Sequence, residues 1–162
     1  MEKKIEFGFE EFESPEQMKA EESFLLENAV SAIESSYAPY SDFHVGAAVL
    51  LEDGTIVKGS NQENAAYPSG LCAERVALFA AAASHPGKKI KAIAITAFSK
   101  NATLDSPLAP CGSCRQVMTE YEHLHNSPIR VIMRGNTGKI RILNQSKDLL
   151  PFVFEADYLK NK

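Results

Sequence analysis

Three cysteines lie in two short motifs whose residue types suit metal binding. Cys72 precedes Glu74 by two positions, and Cys111 and Cys114 form a Cys-x-x-Cys motif. Each motif follows an irregular segment and opens a stretch with helical character. All three thiols are therefore predicted at helix N-termini, where free N–H groups and the helix dipole favour the thiolate. Because sulfur ligands in a tetrahedral arrangement select zinc, the sequence predicts that the three thiolates meet at one zinc ion.

The number of sulfur ligands indicates which kind of zinc site this is. A structural site is closed by four protein ligands, whereas a catalytic site uses three and keeps a position for water. The chain has no fourth cysteine, and its four histidines lie away from both motifs. An open, catalytic site is therefore favoured. The alternative is a closed structural site in which a histidine supplies the fourth ligand, with His44 as the first candidate.

Charged residues beside the cysteines have the types that zinc chemistry needs. Glu74 lies in the first turn of its helix, where a carboxylate can take a proton from water and return it to a substrate. Its simpler interpretation is a partner for the helix dipole. Arg75 and Arg115 each follow a motif residue, and we predict that they donate hydrogen bonds to the negatively charged sulfurs. Surface exposure is the alternative for both arginines.

Hydrophobic periodicity predicts the elements that must position these residues. The clearest local signal is a hairpin of two strands, residues 45–51 and 55–59, whose Asp-Gly turn supplies positive φ angles. A nearly continuous apolar run at 90–97 predicts a buried central strand. The other predicted elements are a helix between residues 15 and 37, helices at 72–84 and 111–124, antiparallel strands at 129–133 and 139–143, and a mostly helical tail at 146–159.

These elements predict an α/β fold with three α/β/α layers built on one five-stranded mixed sheet. Both cysteine-bearing helices follow loops that themselves follow strands. Their N-termini should thus lie at the carboxyl edge of the sheet, where ligands bind in open α/β folds. We expect the zinc site at this edge.

Length and composition limit the class of protein. With 162 residues, 44% of them hydrophobic, the chain has the size of one globular domain, and collagen-like, disulfide-scaffold and wholly disordered classes are excluded. The apolar runs are shorter than a membrane span and the first residues are charged, so we expect a cytoplasmic protein without a membrane partner. A net charge of −4 argues against nucleic acid as the main partner.

The negative charge is concentrated near the N-terminus. Residues 1–27 contain nine glutamates and three lysines, a net charge of −6, so the other 135 residues carry a net charge of +2. We predict an acidic, flexible leader over residues 1–18 and a single domain over residues 19–162.

The two cysteine motifs together resemble a known signature. Zinc deaminases carry His or Cys, any residue and Glu, followed later by Pro-Cys-x-x-Cys; this chain reads Cys72-Ala73-Glu74 and Pro110-Cys111-Gly112-Ser113-Cys114. From about residue 36 to residue 159 the chain resembles the cytidine deaminase family, in its small homotetrameric form. The other matching segments are Tyr37-Ala38-Pro39-Tyr40-Ser41, Val45-Gly46-Ala47-Ala48, Asn61-Gln62-Glu63-Asn64-Ala65 and Cys111-Gly112-Ser113-Cys114-Arg115-Gln116-Val117.

The resemblance implies a cytidine deaminase-like fold with one zinc ion per chain. It implies hydrolytic deamination of cytidine and 2′-deoxycytidine to uridine and 2′-deoxyuridine, with release of ammonia, in pyrimidine salvage. It also implies a homotetramer whose active sites are shared between subunits. The implied substrate contacts are Asn61 and Glu63 on the ribose hydroxyls, Phe43 on the pyrimidine, the Ala73 N–H on the base carbonyl oxygen, and Phe154 lent by a neighbouring subunit.

Other functions are compatible with parts of the pattern. A deaminase acting on another aminopyrimidine, such as the antibiotic blasticidin S, would share the zinc motif, although Asn61 and Glu63 suit a ribose. Polynucleotide editing is disfavoured because the chain lacks a basic stripe. A zinc-stapled binding protein and a Cys-x-x-Cys redox protein are the alternatives from other classes, and a redox motif would not need Cys72.

Overall fold

A mixed β-sheet forms the centre of the molecule in the computed structural model, which describes residues 1–155, 157 and 159. Within these residues the sheet has six strands in the order β1-β6-β5-β4-β2-β3. Strands β4 and β5 are parallel, and every other neighbouring pair is antiparallel. The strands are β1 (Glu10–Phe12), β2 (Phe43–Leu51), β3 (Ile56–Ser60), β4 (Ile90–Ser99), β5 (Arg130–Arg134) and β6 (Ile140–Leu143).

Helices cover both faces of the sheet, which confirms the predicted α/β class and its three layers. They are α1 (Ala20–Ala32), α2 (Ala73–Ser84) and α3 (Gly112–His125). Side chains alternate along β2, so that Val49 packs in one core with α2 and α3, whereas Ala48 and Leu50 pack in a second core with α1. Among the described residues, none of the helices combines the length and apolar content needed to cross a membrane.

The predicted hairpin and central strand are both present. Strands β2 and β3 pair in the register Leu50↔Ile56, and Gly54 in their turn has a φ of 87°. Strand β4 is buried along most of its length, as its continuous apolar run predicted. It lies between β2 and β5, near the middle of the sheet.

The prediction of five strands was wrong, because Glu10–Phe12 forms a sixth within the segment predicted to be a flexible leader. This strand is too short and too acidic to show an alternating pattern. Its attachment depends on residues far away in the sequence: Glu10 pairs with Arg130 at 2.7 Å, Glu11 pairs with Lys139 at 2.8 Å, and Phe12 packs against the core beneath α1. The domain boundary at residue 18 stays a prediction.

The prediction of a mostly helical tail was also wrong. A short 3-10 turn, Ser146–Leu149, ends before Pro151, and residues 153–155 are irregular. Proline lacks an N–H donor and disfavours the helical conformation of the residue before it, which explains the extended φ of −139° at Leu150. Residues 156 and 158 of the predicted tail lie outside the described residues.

Helix α2 packs directly on the backbone of β3 at Gly59. A Cβ atom at this position would lie 2.4 Å from the Ala77 nitrogen and 2.7 Å from the Ala73 carbonyl oxygen, so only glycine fits without movement of the helix. This contact fixes the first turn of α2, which carries Glu74, and thereby the position of Cys72 immediately before the helix.

We expect the substitution Gly59→Ala to destabilise the protein by about 1–3 kcal/mol, because the added methyl group must push α2 away from the sheet. Denaturant unfolding measures the free energy, and metal analysis of the folded fraction measures the effect on the helix start. Lys58→Ala, at an exposed neighbouring position in the same strand, is the matched control. Equal unfolding midpoints for the two variants would contradict the close-packing argument.

Candidate functional site

The three cysteine sulfurs converge at one edge of the sheet. Cys72 caps the N-terminus of α2, Cys111 caps that of α3, and Cys114 lies in the first turn of α3. Strands β3 and β4 run in the same direction, since each is antiparallel to β2. The segments after these two strands therefore lead to the same edge, where both helices begin, as the sequence predicted.

The spacing of the sulfurs fits a zinc ion. The Cys72 and Cys111 sulfurs are 3.7 Å apart, those of Cys111 and Cys114 are 3.5 Å apart, and all three lie within 4.8 Å of one another. Tetrahedral zinc with bonds of about 2.3 Å separates its sulfur ligands by about 3.8 Å. Disulfide sulfurs would lie at about 2.05 Å, and the three cysteines are free. The donor set thus suits zinc with one position left for a non-protein ligand.

Hydrogen bonds within the cluster distribute its protons unevenly. A hydrogen bond with Cys114 and the guanidinium of Arg75, which lies 3.7 Å from the Cys72 sulfur, lower the pKa of the Cys72 thiol to about 5. The same contact with Cys72, together with burial, raises the pKa of the Cys114 thiol. These contacts favour the thiolate at Cys72 over that at Cys114, and the cysteines that bind a metal must lose their thiol protons.

Glu74 lies beside the sulfurs on the first turn of α2. Its side chain is buried, with 4% of the residue exposed, and it borders the cavity next to Cys72. Burial, with a smaller contribution from the charge on Cys72, raises the pKa of the Glu74 carboxyl. A carboxyl in such surroundings can hold a proton as well as release it, which suits proton transfer better than simple charge compensation of the helix.

The arginines that follow the motifs act differently from each other. Arg75 donates to the Cys72 sulfur, as predicted. Arg115 instead donates through Nε to the Pro110 carbonyl at 2.8 Å and through Nη1 to the Leu149 carbonyl at 2.9 Å. The guanidinium of Arg115 thus contacts backbone carbonyls and not the sulfurs that we had expected. Through these bonds Arg115 connects the start of α3 to the segment that contains Leu149.

His44 does not join the metal cluster in the described part of the chain. Its Nδ1 atom is hydrogen-bonded to the Ser36 hydroxyl at 2.6 Å, and its Nε2 atom lies 3.2 Å from an Asp42 carboxylate oxygen. Both ring nitrogens thus have partners in the segment that precedes β2. This arrangement disfavours the closed structural site.

A cavity of about 810 Å³ opens beside the sulfurs, a volume within the range of small-molecule sites. Phe43, Asn61 and Glu63 line it, as does Glu74 at its metal end. Several other lining residues have no role predicted from the sequence, although Tyr40 belongs to the segment Tyr37-Ala38-Pro39-Tyr40-Ser41 and Leu108-Ala109 directly precede the second cysteine motif. The additional lining residues include Tyr40, Ser41, Tyr67, Leu71, Leu108 and Ala109.

Asn61 and Glu63 are held in place by backbone groups. The Asn61 side chain accepts the Val45 N–H at 2.8 Å and donates to the Phe43 carbonyl at 2.8 Å, so it ties the end of β3 to β2. Glu63 accepts the Tyr40 N–H at 2.8 Å and also a hydrogen bond from the Ser41 hydroxyl. The Ser41 hydroxyl, followed by the Tyr40 N–H, lowers the pKa of the Glu63 carboxyl, which keeps an ionised acceptor at the cavity wall.

Ala73 and Phe154, two residues predicted to contact the substrate, lie in different parts of the structure. Ala73 is buried at the first position of α2, where its N–H has no acceptor within the helix. Phe154 does not line the cavity beside the sulfurs: 60% of this residue is exposed, and its carbonyl accepts the Gln116 side-chain amide at 2.8 Å. It borders a separate cavity on the outer side of α3.

The chain also matches a characterised family over most of its length. Residues 19–126 match the family described as the cytidine and deoxycytidylate deaminase zinc-binding region. The chain belongs to this family. The family is a zinc-binding one, and within the described residues Cys72, Cys111 and Cys114 form a cluster able to hold the ion.

Relatives of the deaminase family extend the match beyond this region. The chain is 42% identical to a cytidine deaminase of Halalkalibacterium halodurans over 133 residues, which are 82% of this chain and 93% of the relative. It is 36% identical to a cytidine deaminase of Mycobacterium tuberculosis over 140 residues, 85% of this chain and 92% of the relative. The activity in these relatives is that of a hydrolase, and this chain is an enzyme of the same kind.

Solved structures of this family share the fold. A crystal structure of cytidine deaminase from Burkholderia pseudomallei has a TM-score of 0.71 and 42% identity, with coverage of 85% of this chain and 100% of that chain. A cytidine deaminase from Mycobacterium tuberculosis has a TM-score of 0.65 and 33% identity, with coverage of 85% and 99%. This chain is thus longer than its matched relatives, and the family match begins after β1.

We expect Cys111→Ser to weaken zinc binding by about a hundredfold or more, because a serine hydroxyl replaces one of three thiolate ligands. Metal analysis after competition with a chelator measures the affinity, and the wild-type protein should hold one zinc per chain. Ser113→Ala, inside the same motif but without a sulfur ligand, should bind zinc like the wild type. Full zinc retention by Cys111→Ser under the same competition would contradict the assignment.

Proposed function

We propose that the protein catalyses the hydrolytic deamination of cytidine and 2′-deoxycytidine to uridine and 2′-deoxyuridine, with release of ammonia. The observation that carries this proposal is the buried carboxyl of Glu74 beside three sulfurs at zinc-binding distances. Glu74 borders a cavity that is also lined by the hydrogen-bonded carboxylate of Glu63. The related enzymes of Halalkalibacterium halodurans and Mycobacterium tuberculosis, both named cytidine deaminase, support the substrate.

Cys72, Cys111 and Cys114 would hold the zinc, which supplies a Lewis acid that lowers the pKa of a water molecule. Glu74 accepts a proton from the attacking water and donates it to N3 of the pyrimidine, which makes C4 more electrophilic. The same carboxylate then carries the second proton to the exocyclic nitrogen, which leaves as ammonia. One water is consumed for each ammonia released, and the two protons pass through a single side chain.

The other residues bind and orient the nucleoside in this proposal. The Ala73 N–H donates to the base carbonyl oxygen, and Phe43 packs on the pyrimidine ring. Asn61 and Glu63 form hydrogen bonds with the ribose hydroxyls, and the Glu63 carboxylate acts as the acceptor. Arg75, by its hydrogen bond to the Cys72 sulfur, withdraws negative charge from the ligand set.

Features of the site disfavour the alternative functions. The ionised Glu63 carboxylate at the cavity wall repels the phosphates that a polynucleotide substrate would bring near it. The Cys72 sulfur lies within 4.8 Å of both sulfurs of the Cys-x-x-Cys motif. A dithiol redox reaction does not require this third thiol. A binding protein that uses zinc only for stability does not need a buried carboxyl such as Glu74 beside the metal ligands and facing the cavity.

We expect Glu74→Gln to lower kcat for cytidine by about a thousandfold, since the amide cannot relay protons between water, N3 and the leaving amine. The loss of cytidine absorbance measures turnover, and metal analysis should still find one zinc per chain. Glu120→Gln, at an exposed position of α3 outside this cavity, should retain activity. Normal turnover by zinc-loaded Glu74→Gln would exclude the mechanism.

We propose that the enzyme is a homotetramer in which Phe154 completes the active site of a neighbouring subunit. The exposure of Phe154, and its location away from the cavity of its own chain, support this arrangement. We also propose that the protein acts in pyrimidine salvage in the cytoplasm, since its three free thiols suit a reducing compartment.

Shared sites predict complementation between two inactive variants. Co-expressed Glu74→Gln and Phe154→Ala chains should form mixed oligomers with more cytidine deaminase activity than the two variants purified separately. In such oligomers a chain with an intact Glu74 receives Phe154 from a Glu74→Gln neighbour. Co-expression of Glu74→Gln with Glu74→Ala is the control that cannot complement. Absence of any gain in verified mixed oligomers would argue against a lent Phe154.

A further inference from the structure

The Ser41 hydroxyl connects Phe43 and Glu63, two residues of the cavity wall that are distant in the sequence. It accepts the Phe43 N–H at 3.1 Å, at the start of β2. It also donates to the Oε1 atom of Glu63, which follows β3. A single small side chain thus links the residue proposed to pack on the base to the carboxylate proposed to bind the sugar.

The Glu63 carboxylate has little hydrogen-bonding capacity left. Its Oε2 atom accepts the Tyr40 N–H at 2.8 Å and the Ser41 N–H at 3.3 Å, while its Oε1 atom accepts the Ser41 hydroxyl. A carboxylate offers about four acceptor positions in all. Three are used by the protein, so the remaining capacity is for one donor from a ligand.

Contacts other than those of the Ser41 hydroxyl also hold the backbone around this residue. The Asp42 N–H donates to the Ala38 carbonyl at 3.1 Å, and Asp42 adopts a left-handed conformation with a φ of 53°. The Asp42 carboxylate lies 3.2 Å from His44 Nε2 and accepts the Asn101 amide at 3.4 Å. Removal of the hydroxyl should therefore leave the turn folded. The Glu63 carboxylate would then be held only through its Oε2 atom by the Tyr40 and Ser41 N–H groups, and its Oε1 atom would lose its fixed direction.

We propose that Ser41 is a positioning residue that orients the Glu63 carboxylate toward the sugar hydroxyls of the nucleoside. This role rests on the proposed function, and it concerns binding of the sugar rather than the chemical step at C4. Ser41 acts through Glu63, so its effect should require both the Glu63 carboxylate and the hydroxyls of the ligand. These two requirements separate it from a residue that only maintains the fold.

The test compares equilibrium binding of two products, uridine and 2′,3′-dideoxyuridine, by calorimetry on zinc-loaded protein. Ser41→Ala should weaken uridine binding by about tenfold and leave dideoxyuridine binding unchanged within about twofold. Ser41→Thr, which keeps the hydroxyl, should bind uridine like the wild type. With cytidine, Ser41→Ala should raise KM by a similar factor at nearly constant kcat.

A double-mutant cycle tests whether Ser41 acts through Glu63. In a Glu63→Ala background, Ser41→Ala should add little further loss of uridine affinity, since its partner is already gone. Ser31→Ala, on α1 and away from the cavity, is the matched serine control. Equal weakening for both ligands, additive losses in the cycle, or unchanged uridine binding would each overturn the role of Ser41. Failure of the wild-type enzyme to convert cytidine would contradict the proposed function instead.

Discussion

The approach of three cysteine sulfurs to within 4.8 Å of one another is the constraint that the surrounding structure must satisfy. Three thiolates at this distance would repel, so the fold has to hold two helix starts together while a cation takes the place of the thiol protons. Helix α2 is fixed by its contact with Gly59 on β3. Helix α3 is fixed at its start by Arg115 and near its end by Glu122, which accepts the Ile129 and Ser146 N–H groups at 3.1 and 2.7 Å.

Charge pairing also holds the sheet together on the opposite side, far from the cysteines. Arg130 on β5 contacts Glu22 of α1 at 2.6 Å and Glu10 of β1 at 2.7 Å, and Arg141 lies over the Phe9 ring at 4.6 Å. The excess of acidic residues near the N-terminus is thus partly matched by basic residues of β5 and β6. What reads in the sequence as a charged leader includes an edge strand whose partners are supplied by the domain.

The sequence predicted those parts of the fold whose signals are local. Alternation, continuous apolar runs and the Asp53-Gly54 turn identified β2 to β6, and the cysteine motifs identified the helix starts of α2 and α3. Strand β1 escaped prediction because a three-residue strand depends on distant ion pairs. The direction of the Arg115 side chain and the Ser41 hydrogen bonds were also beyond reach, because each depends on backbone groups brought together only by tertiary structure.

The two ends of the cavity are built in different ways, and this difference separates chemistry from recognition. At the metal end, Cys114 is completely buried and Glu74 is nearly so, which makes their positions part of the core packing. At the other end, Glu63 is positioned by two N–H groups and one hydroxyl of a surface turn. A change in that turn acts on the hydrogen bonds of Glu63, whereas the side chains of Cys114 and Glu74 are held by burial in the core. In the proposed function, specificity among nucleosides thus depends on this turn, whereas proton transfer by Glu74 depends on the core.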